Sequence, residues 1–324
     1  MTDLLDRPSE PQPAVEAASP PRRKSRVRLL IPIALIILGI GVFVYPVVAT
    51  LYNNAKQSAA ARKYSTEVAE APESDLVGDL QAASQYNRNL EGVPILDPWL
   101  TKVSRDPSSV AYKDYQAHLG RFSSMARLRA PSIGVDLAIY HGTSDDTLAK
   151  GVGHLYGTSL PVGGIGTHAV LTSHTALTTA TLFDHLDEMK VDDVFFIDVY
   201  GETLAYQVDQ IKIILPQEIS DLTIVDGEDY VTLVTCTPYA VNTHRLLVRG
   251  HRIPVEVAET TPSVVAASPS VIQPWMYWLL AGAAAGVVAL LVIALLAWRR
   301  RRRQRRLAPM ATIEPTRAST TAPQ

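Results

Sequence analysis

Thr232-Leu233-Val234-Thr235-Cys236-Thr237-Pro238-Tyr239, followed two residues later by Asn242-Thr243-His244-Arg245-Leu246-Leu247-Val248, reads as strand, loop, strand. Cys236 ends one β-run and Arg245 begins the next, so the pairing of neighbouring strands puts both at the same end. Cys236 is also the only cysteine in the 324 residues and therefore makes no internal disulfide. Outside the cytoplasm structural cysteines usually pair, and a lone thiol there is either incidental or reactive.

Outward from this stretch the chain keeps the same character. Short β-like runs occupy residues 126–129, 135–140, 168–172, 194–200, 203–214, 231–235 and 245–253. Leu204, Tyr206 and Val208 alternate with polar neighbours, as a half-buried strand requires. Turn residues such as Pro161-Val162-Gly163-Gly164, Gly201-Glu202 and Asp226-Gly227 separate the runs. Many short strands with brief helices predict a mainly β fold, a closed or nearly closed barrel. The preceding stretch is helical: Leu76, Leu80, Ala83 and Leu90 fall near helical spacing, and Asp106-Pro107 predicts an N-cap and first-turn proline for a helix over 108–119.

Both ends carry membrane signals. Residues 29–50 and 275–298 are apolar and uncharged, each long enough to cross a bilayer core of roughly 20 residues. The first run exceeds the apolar length usual for a cleaved signal peptide. Gly282, Ala283, Ala284, Ala285 and Gly286 suit a membrane helix. Arg22, Arg23, Lys24, Arg26 and Arg28 precede the first run, and seven arginines between Arg299 and Arg306 follow the second. The positive-inside rule then predicts a two-pass protein of the cell membrane, with both termini cytoplasmic and the intervening domain outside. Tyr45, Tyr52, Trp275, Tyr277, Trp278 and Trp298 stand where interfacial aromatics belong. The net charge is -2 and the basic residues concentrate at the membrane flanks, which leaves the outer segment acidic on balance and argues against a nucleic-acid partner.

A cysteine nucleophile needs a partner that favours thiolate and can protonate a leaving amine, and acyl transfer needs a donor where the oxyanion forms. Arg245 suits the oxyanion role. The histidine candidates are His118, His141, His154, His168, His174, His185, His244 and His251. His174 stands out because it follows Ala169-Val170-Leu171-Thr172 and opens a polar loop, where a side chain can face a cleft. His168, before the same run, reads as structural. Gly151-Val152-Gly153 and Gly163-Gly164-Ile165-Gly166 lack dinucleotide spacing before a helix and read as turns. His168, His174 and Cys236 lack the tight paired spacing of a zinc site, so no metal is expected.

Thr-Leu-Val-Thr-Cys with an arginine nine positions on resembles the signature of sortases, the membrane-anchored cysteine transpeptidases of Gram-positive bacteria. Residues 231–250 resemble the pilin-polymerising class C branch, as do Ile139-Tyr140-His141-Gly142-Thr143, Gly151-Val152-Gly153-His154-Leu155 and Thr158-Ser159-Leu160-Pro161. The resemblance implies an eight-stranded β-barrel and a catalytic set of His174, Cys236 and Arg245, with no cofactor. It implies cleavage of a Leu-Pro-x-Thr-Gly sorting signal and joining of pilin subunits through an acceptor lysine. Asp97-Pro98-Trp99 is similar to the class C lid, in which the carboxylate pairs with the arginine and the aromatic ring covers the cysteine. Ser173-His174-Thr175-Ala176-Leu177-Thr178 departs from the Gly-His-Arg-Gly-Leu-Pro of many class C members, so the groove beside the histidine is expected to differ. Alternatives are a wall-anchoring sortase with a peptidoglycan amine acceptor, a hydrolytic cysteine peptidase, or a non-catalytic membrane scaffold.

The expected organisation follows: a disordered tail over 1–28, a membrane helix over 29–50, a helical segment with the lid (97–99) over 51–124, and the barrel over 125–258. A linker over 259–274, a second membrane helix over 275–298 and a basic tail over 299–324 complete it.

Overall fold

Alternation of side chains between the inner and outer faces of the strands organises Phe43–Ala281, the larger of two units into which the chain divides. The computed structural model describes residues 27–90, 109–265 and 273–307. Three helices come first: α1 (Val27–Glu70), α2 (Glu73–Arg88) and α3 (Val110–Ala117). The strands are β1 (Ala126–Ala130), β2 (Val135–His141), β3 (Val152–His154), β4 (Thr167–Thr172), β5 (Val194–Val199), β6 (Glu202–Ile214), β7 (Asp229–Thr237) and β8 (His244–Ile253). A short helix, α4 (Asp145–Leu148), lies between β2 and β3, and α5 (Val255–Glu259), α6 (Pro262–Val265) and α7 (Pro274–Leu307) follow β8.

The eight strands close into a barrel in the order β1-β2-β3-β4-β7-β8-β6-β5. The β2–β3 and β4–β7 pairs are parallel and the others antiparallel. Alternate residues fill the interior, among them Leu128, Ile139, Leu171, Phe195, Leu233 and Val248. Burying each such side chain contributes about 1.5–3 kcal/mol. The intervening residues of β4, β7 and β8 face outward, where Val170, Val234 and Leu247 join Leu155, Ile214 and Leu222 in a second apolar cluster. On β1 the outward positions are Arg127 and Arg129, each forked onto a carboxylate of a neighbouring strand, Asp136 and Asp198.

One bulge alters this alternation. Along β6 the register against β8 slips between Val208 and Gln210, where Val208 pairs with Gly250 and Gln210 with Arg249. Val208 therefore points inward and Ile214, an even number of residues away, points outward. At Gly250 the barrel wall leaves no room for a side chain: a Cβ would lie 2.7 Å from Phe195 Cε1.

The predicted strand runs match seven of the strands to within two residues. The strand absent from the prediction, β3, has only three residues and a central glycine, too little for an alternation to register. Apolar run 29–50 is the first part of a helix that continues to Glu70, because Ala61, Tyr64 and Val68 of its second half are buried. Tyr64 Oη donates to Met125 O (3.2 Å) and accepts from Tyr200 N (2.9 Å), which ties α1 to the barrel. Asn87 of α2 pairs with both the N–H and the C=O of Leu160, at 2.7 and 3.0 Å, as a neighbouring strand would. The third helix begins at Val110, later than predicted, with Ser109 Oγ accepting from Tyr112 N as its cap; Asp106 and Pro107 lie outside the described residues. The expected linker contains α6, and the preceding α5 packs Ala258 against Val194, Phe196 and Ala205.

The second unit comprises the chain's two ends. Within it Gly286 of α7 approaches Ile40 of α1 so closely that a Cβ would sit 2.7 Å from Ile40 Cγ1. The Arg302 guanidinium lies 3.8 Å over the Trp298 ring. Two helices among the described residues, Leu30–Glu70 and Pro274–Arg300, are long and apolar enough to cross a membrane.

Candidate functional site

Strand register assembles the three candidate residues. Cys236 of β7 and Arg245 of β8 are direct cross-strand partners. On the other side of β7, the parallel register of β4 reaches Thr172 opposite Val234, and Ser173 N continues it by donating to Val234 O at 3.2 Å. His174 lies two residues past the end of β4, so a continuation of this register would bring it level with Cys236. Val170, Val234 and Leu247 share the outward face, and Thr172 and Arg245 line the same cleft. The register thus pairs Cys236 with Arg245 and leaves His174 in the loop just past the end of the strand beside β7.

Each is held by its surroundings. Ser173 Oγ donates to Gly151 O (2.8 Å) and its carbonyl accepts from Thr235 Oγ1 (2.8 Å), so the backbone next to His174 is fixed from both neighbouring strands. Arg245 is 4% exposed, and its Nη1 donates to the carbonyls of Asn242 (3.2 Å) and His244 (3.0 Å). Cys236 is 8% exposed. Burial pushes the His174 pKa down, with the Asp145 carboxylate of α4 opposing the shift. A depressed value favours the neutral imidazole, which can accept a thiol proton and later return it.

An apolar cleft adjoins Arg245. It is bounded by Leu155, Val170, Ile214, Ile219, Leu222, Val234 and Leu247, with Arg245 in its wall. Its volume is about 20 Å³, room for roughly one water.

Some residues important to the geometry were missed. Asp184 accepts from Ala176 N (2.6 Å) and Thr175 Oγ1 (3.2 Å), while Phe183 N donates to His174 O (3.0 Å), so Asp184 folds the loop after His174 back on its base. Burial raises the Asp184 pKa against the effect of these bonds. The polar side chains Thr50, Asn53, Asn54 and Gln57 of α1 also reach toward this region. Their three- and four-residue spacing on one helix face was the available signal. His168 donates from Nδ1 to Thr223 O (2.8 Å) and pairs through Nε2 with Thr232 Oγ1 (2.7 Å), a structural role as expected. Asp97, Pro98 and Trp99, the expected lid, lie outside the described residues.

Comparison with known proteins gives consistent matches. The Sortase domain family model matches residues 128–253, which include all three candidates. Sortase C-1 from Actinomyces oris is similar at 51% identity, over 55% of this chain and 99% of that structure, with a TM-score of 0.53. Streptococcus pneumoniae sortase C, whose structure was described in terms of catalysis and pilin substrate specificity, is 41% identical over 60% of this chain and 95% of its own, with a TM-score of 0.54. Sortase D of Bacillus subtilis is 31% identical over 114 residues, 35% of this chain, and the chain spans about half the length of that curated relative (54%).

Proposed function

The chain belongs to the sortase family, and from that premise we propose that it is a membrane-anchored cysteine transpeptidase of the class C type, which joins pilin subunits. The observation that carries the reading is that Cys236 and Arg245 are register partners, with His174 two residues beyond the end of β4, the strand on the other side of β7.

In this reading His174 accepts the Cys236 proton, and Sγ attacks the threonyl carbonyl carbon of a Leu-Pro-x-Thr-Gly signal. The Arg245 guanidinium donates to the oxyanion. The Thr–Gly C–N bond then breaks, His174 returns its proton to the departing glycyl amine, and a thioester remains on Cys236. A lysine amine of a second subunit attacks the thioester, giving up a proton to His174, and the thiolate leaves as an isopeptide bond forms. The apolar Leu and Pro of the signal suit the cleft bounded by Val170, Val234 and Leu247. Since that cleft admits roughly one water, the segment 215–222 moves outward to receive them.

The two apolar helices, with basic residues beyond each, hold the barrel outside the membrane and keep both termini in the cytoplasm. As part of this proposal the barrel over 125–258 is the catalytic domain, and Asp97, Pro98 and Trp99 serve as its cover. No nucleic acid and no cofactor enter the reaction.

The test is incubation of the full chain in detergent with a sorting-signal peptide and with a pilin bearing a signal and an acceptor lysine. A mass adduct on Cys236 and a ladder of covalent polymers are expected. An adduct that is resolved only by a peptidoglycan-type amine assigns wall anchoring instead, one resolved only by water assigns hydrolysis, and no adduct at all removes the transpeptidase reading.

A further inference from the structure

The loop following His174 is not held by its own sequence. Ala176 and Leu182 adopt φ of 62° and 44°, a region that residues with a side chain rarely occupy unless the surroundings impose it. Near its base the loop is tied by Asp184. Its far side is tied by α1, from more than 100 positions away in sequence. Thr50 Oγ1 donates to Thr178 O (3.2 Å), Asn53 Nδ2 to Thr179 O (2.9 Å), and Asn54 Nδ2 to Thr181 Oγ1 (2.7 Å), while Asn54 Oδ1 accepts from Thr181 N (3.0 Å). Gln273, just before α7, adds a bond from Nε2 to Thr181 Oγ1 at 2.8 Å.

Packing anchors the end of the loop, where Ala180 and Leu182 are buried in the core, and leaves its polar side chains to α1. A cavity of about 370 Å³ adjoins the contact and is bordered by Asn54, Gln57, Thr181 and Gln273. The hydrogen bonds of Thr50, Asn53 and Asn54 thus fix the polar part of this loop, over 178–181, while its first residue adjoins His174.

We infer that this polar face of α1 is a positioning clamp, which holds the loop over 175–182 so that the His174 imidazole is aimed for proton transfer with Cys236. Asn53, Asn54 and Thr181 are positioning residues and touch no reacting atom. The inference rests on the assignment of His174 as the proton carrier. A helix that continues out of the apolar run then serves a second purpose besides attachment.

The test uses the full chain in detergent micelles and three variants: Asn53→Ala with Asn54→Ala, Thr181→Val, and Thr181→Ser. Alanine favours helix, so the double variant removes the clamp without weakening α1. Thr181→Val removes the hydroxyl at similar volume, and Thr181→Ser keeps it. Three quantities are read: kcat and KM for peptide cleavage, the pH dependence of Cys236 alkylation by a small thiol reagent, and the thermal midpoint. Small misplacements at a reacting centre cost up to about 100-fold, so the double variant and Thr181→Val are expected to lose about 10-fold or more in kcat, with KM little changed. The midpoint of the alkylation profile shifts in both, the thermal midpoint does not, and Thr181→Ser behaves as the parent. An unshifted alkylation profile in the double variant overturns the clamp, as does a kcat loss that only follows a lowered thermal midpoint. Alkylation needs no peptide, so it decides the clamp independently; a parent protein that reacts with thiol reagent but never with peptide counts against the transpeptidase reading instead.

Discussion

His154 gives the protein a defined weakness to acid. It is fully buried on β3. Nε2 lies 2.8 Å from Ser159 O, which can only accept, so that nitrogen carries the proton and Nδ1 accepts from Tyr115 Oη at 2.9 Å. Burial pushes the pKa from its ordinary 6.5 down to about 4. The folded state therefore binds fewer protons than the unfolded one across this interval. The stability contributed by the neutral ring is complete above about pH 6.5 and is lost as the pH falls toward 4. Integrated over one site, the loss is about 2 kcal/mol between about pH 7 and pH 5 and about 3 kcal/mol by pH 4. Urea unfolding of the full chain in detergent, at about pH 7 and pH 5, measures it against a His154→Gln variant that has no such proton to bind. Burial also lowers the pKa of His141, His168 and His174, and their contribution is common to both proteins and cancels in the difference. The parent should lose about 2 kcal/mol more than the variant. Equal losses in the two proteins refute the reasoning.

Three other outcomes are expected. Arg245→Ala should reduce the rate of thioester formation by about 10²–10³-fold, as loss of one oxyanion donor does, measured by burst kinetics with a sorting-signal peptide; a change under tenfold argues against that role. Replacing Asp97 and Trp99 with alanine should accelerate Cys236 labelling by a small thiol reagent, and unchanged labelling removes the proposed cover. Gly250→Ala forces a methyl to within 2.7 Å of Phe195 Cε1 and 3.0 Å of Tyr206 Cβ, so it should cost about 1–3 kcal/mol in denaturant unfolding; an unaltered midpoint would mean the barrel wall yields freely there.

Most strands and the three candidate residues were legible, for one physical reason. Alternation in runs such as Thr203 to Val208 is imposed by a surface with one dry face, and a cysteine followed nine places later by arginine is a chemical pairing visible without coordinates. The three-residue β3 was invisible because so short a segment carries no period, and its pairing with β2 and β4 comes from the barrel. The extension of α1 to Glu70 escaped because past Thr50 the chain becomes polar and its only buried apolar residues are Ala61, Tyr64 and Val68. Asp184 and Asn54 were missed for a different reason: each acts on the backbone of a loop, and even the polar helix face that carries Asn54 does not say which segment, more than a hundred residues away, it binds.

The slip between Val208 and Gln210 shows what the barrel tolerates and where. It is in effect a one-residue frameshift, and it lies on β6, where turning Ile214 outward completes the wall of the cleft. No such slip occurs between β4 and β7 or between β7 and β8. A single residue added or deleted within 231–235 would turn Cys236 to the opposite face of β7 and break its register with Arg245 while leaving every residue type in place. Substitution scans along these strands will therefore understate how tightly the site is specified. Insertions and deletions, which change the counting rather than the chemistry, are the perturbations to which it is most vulnerable.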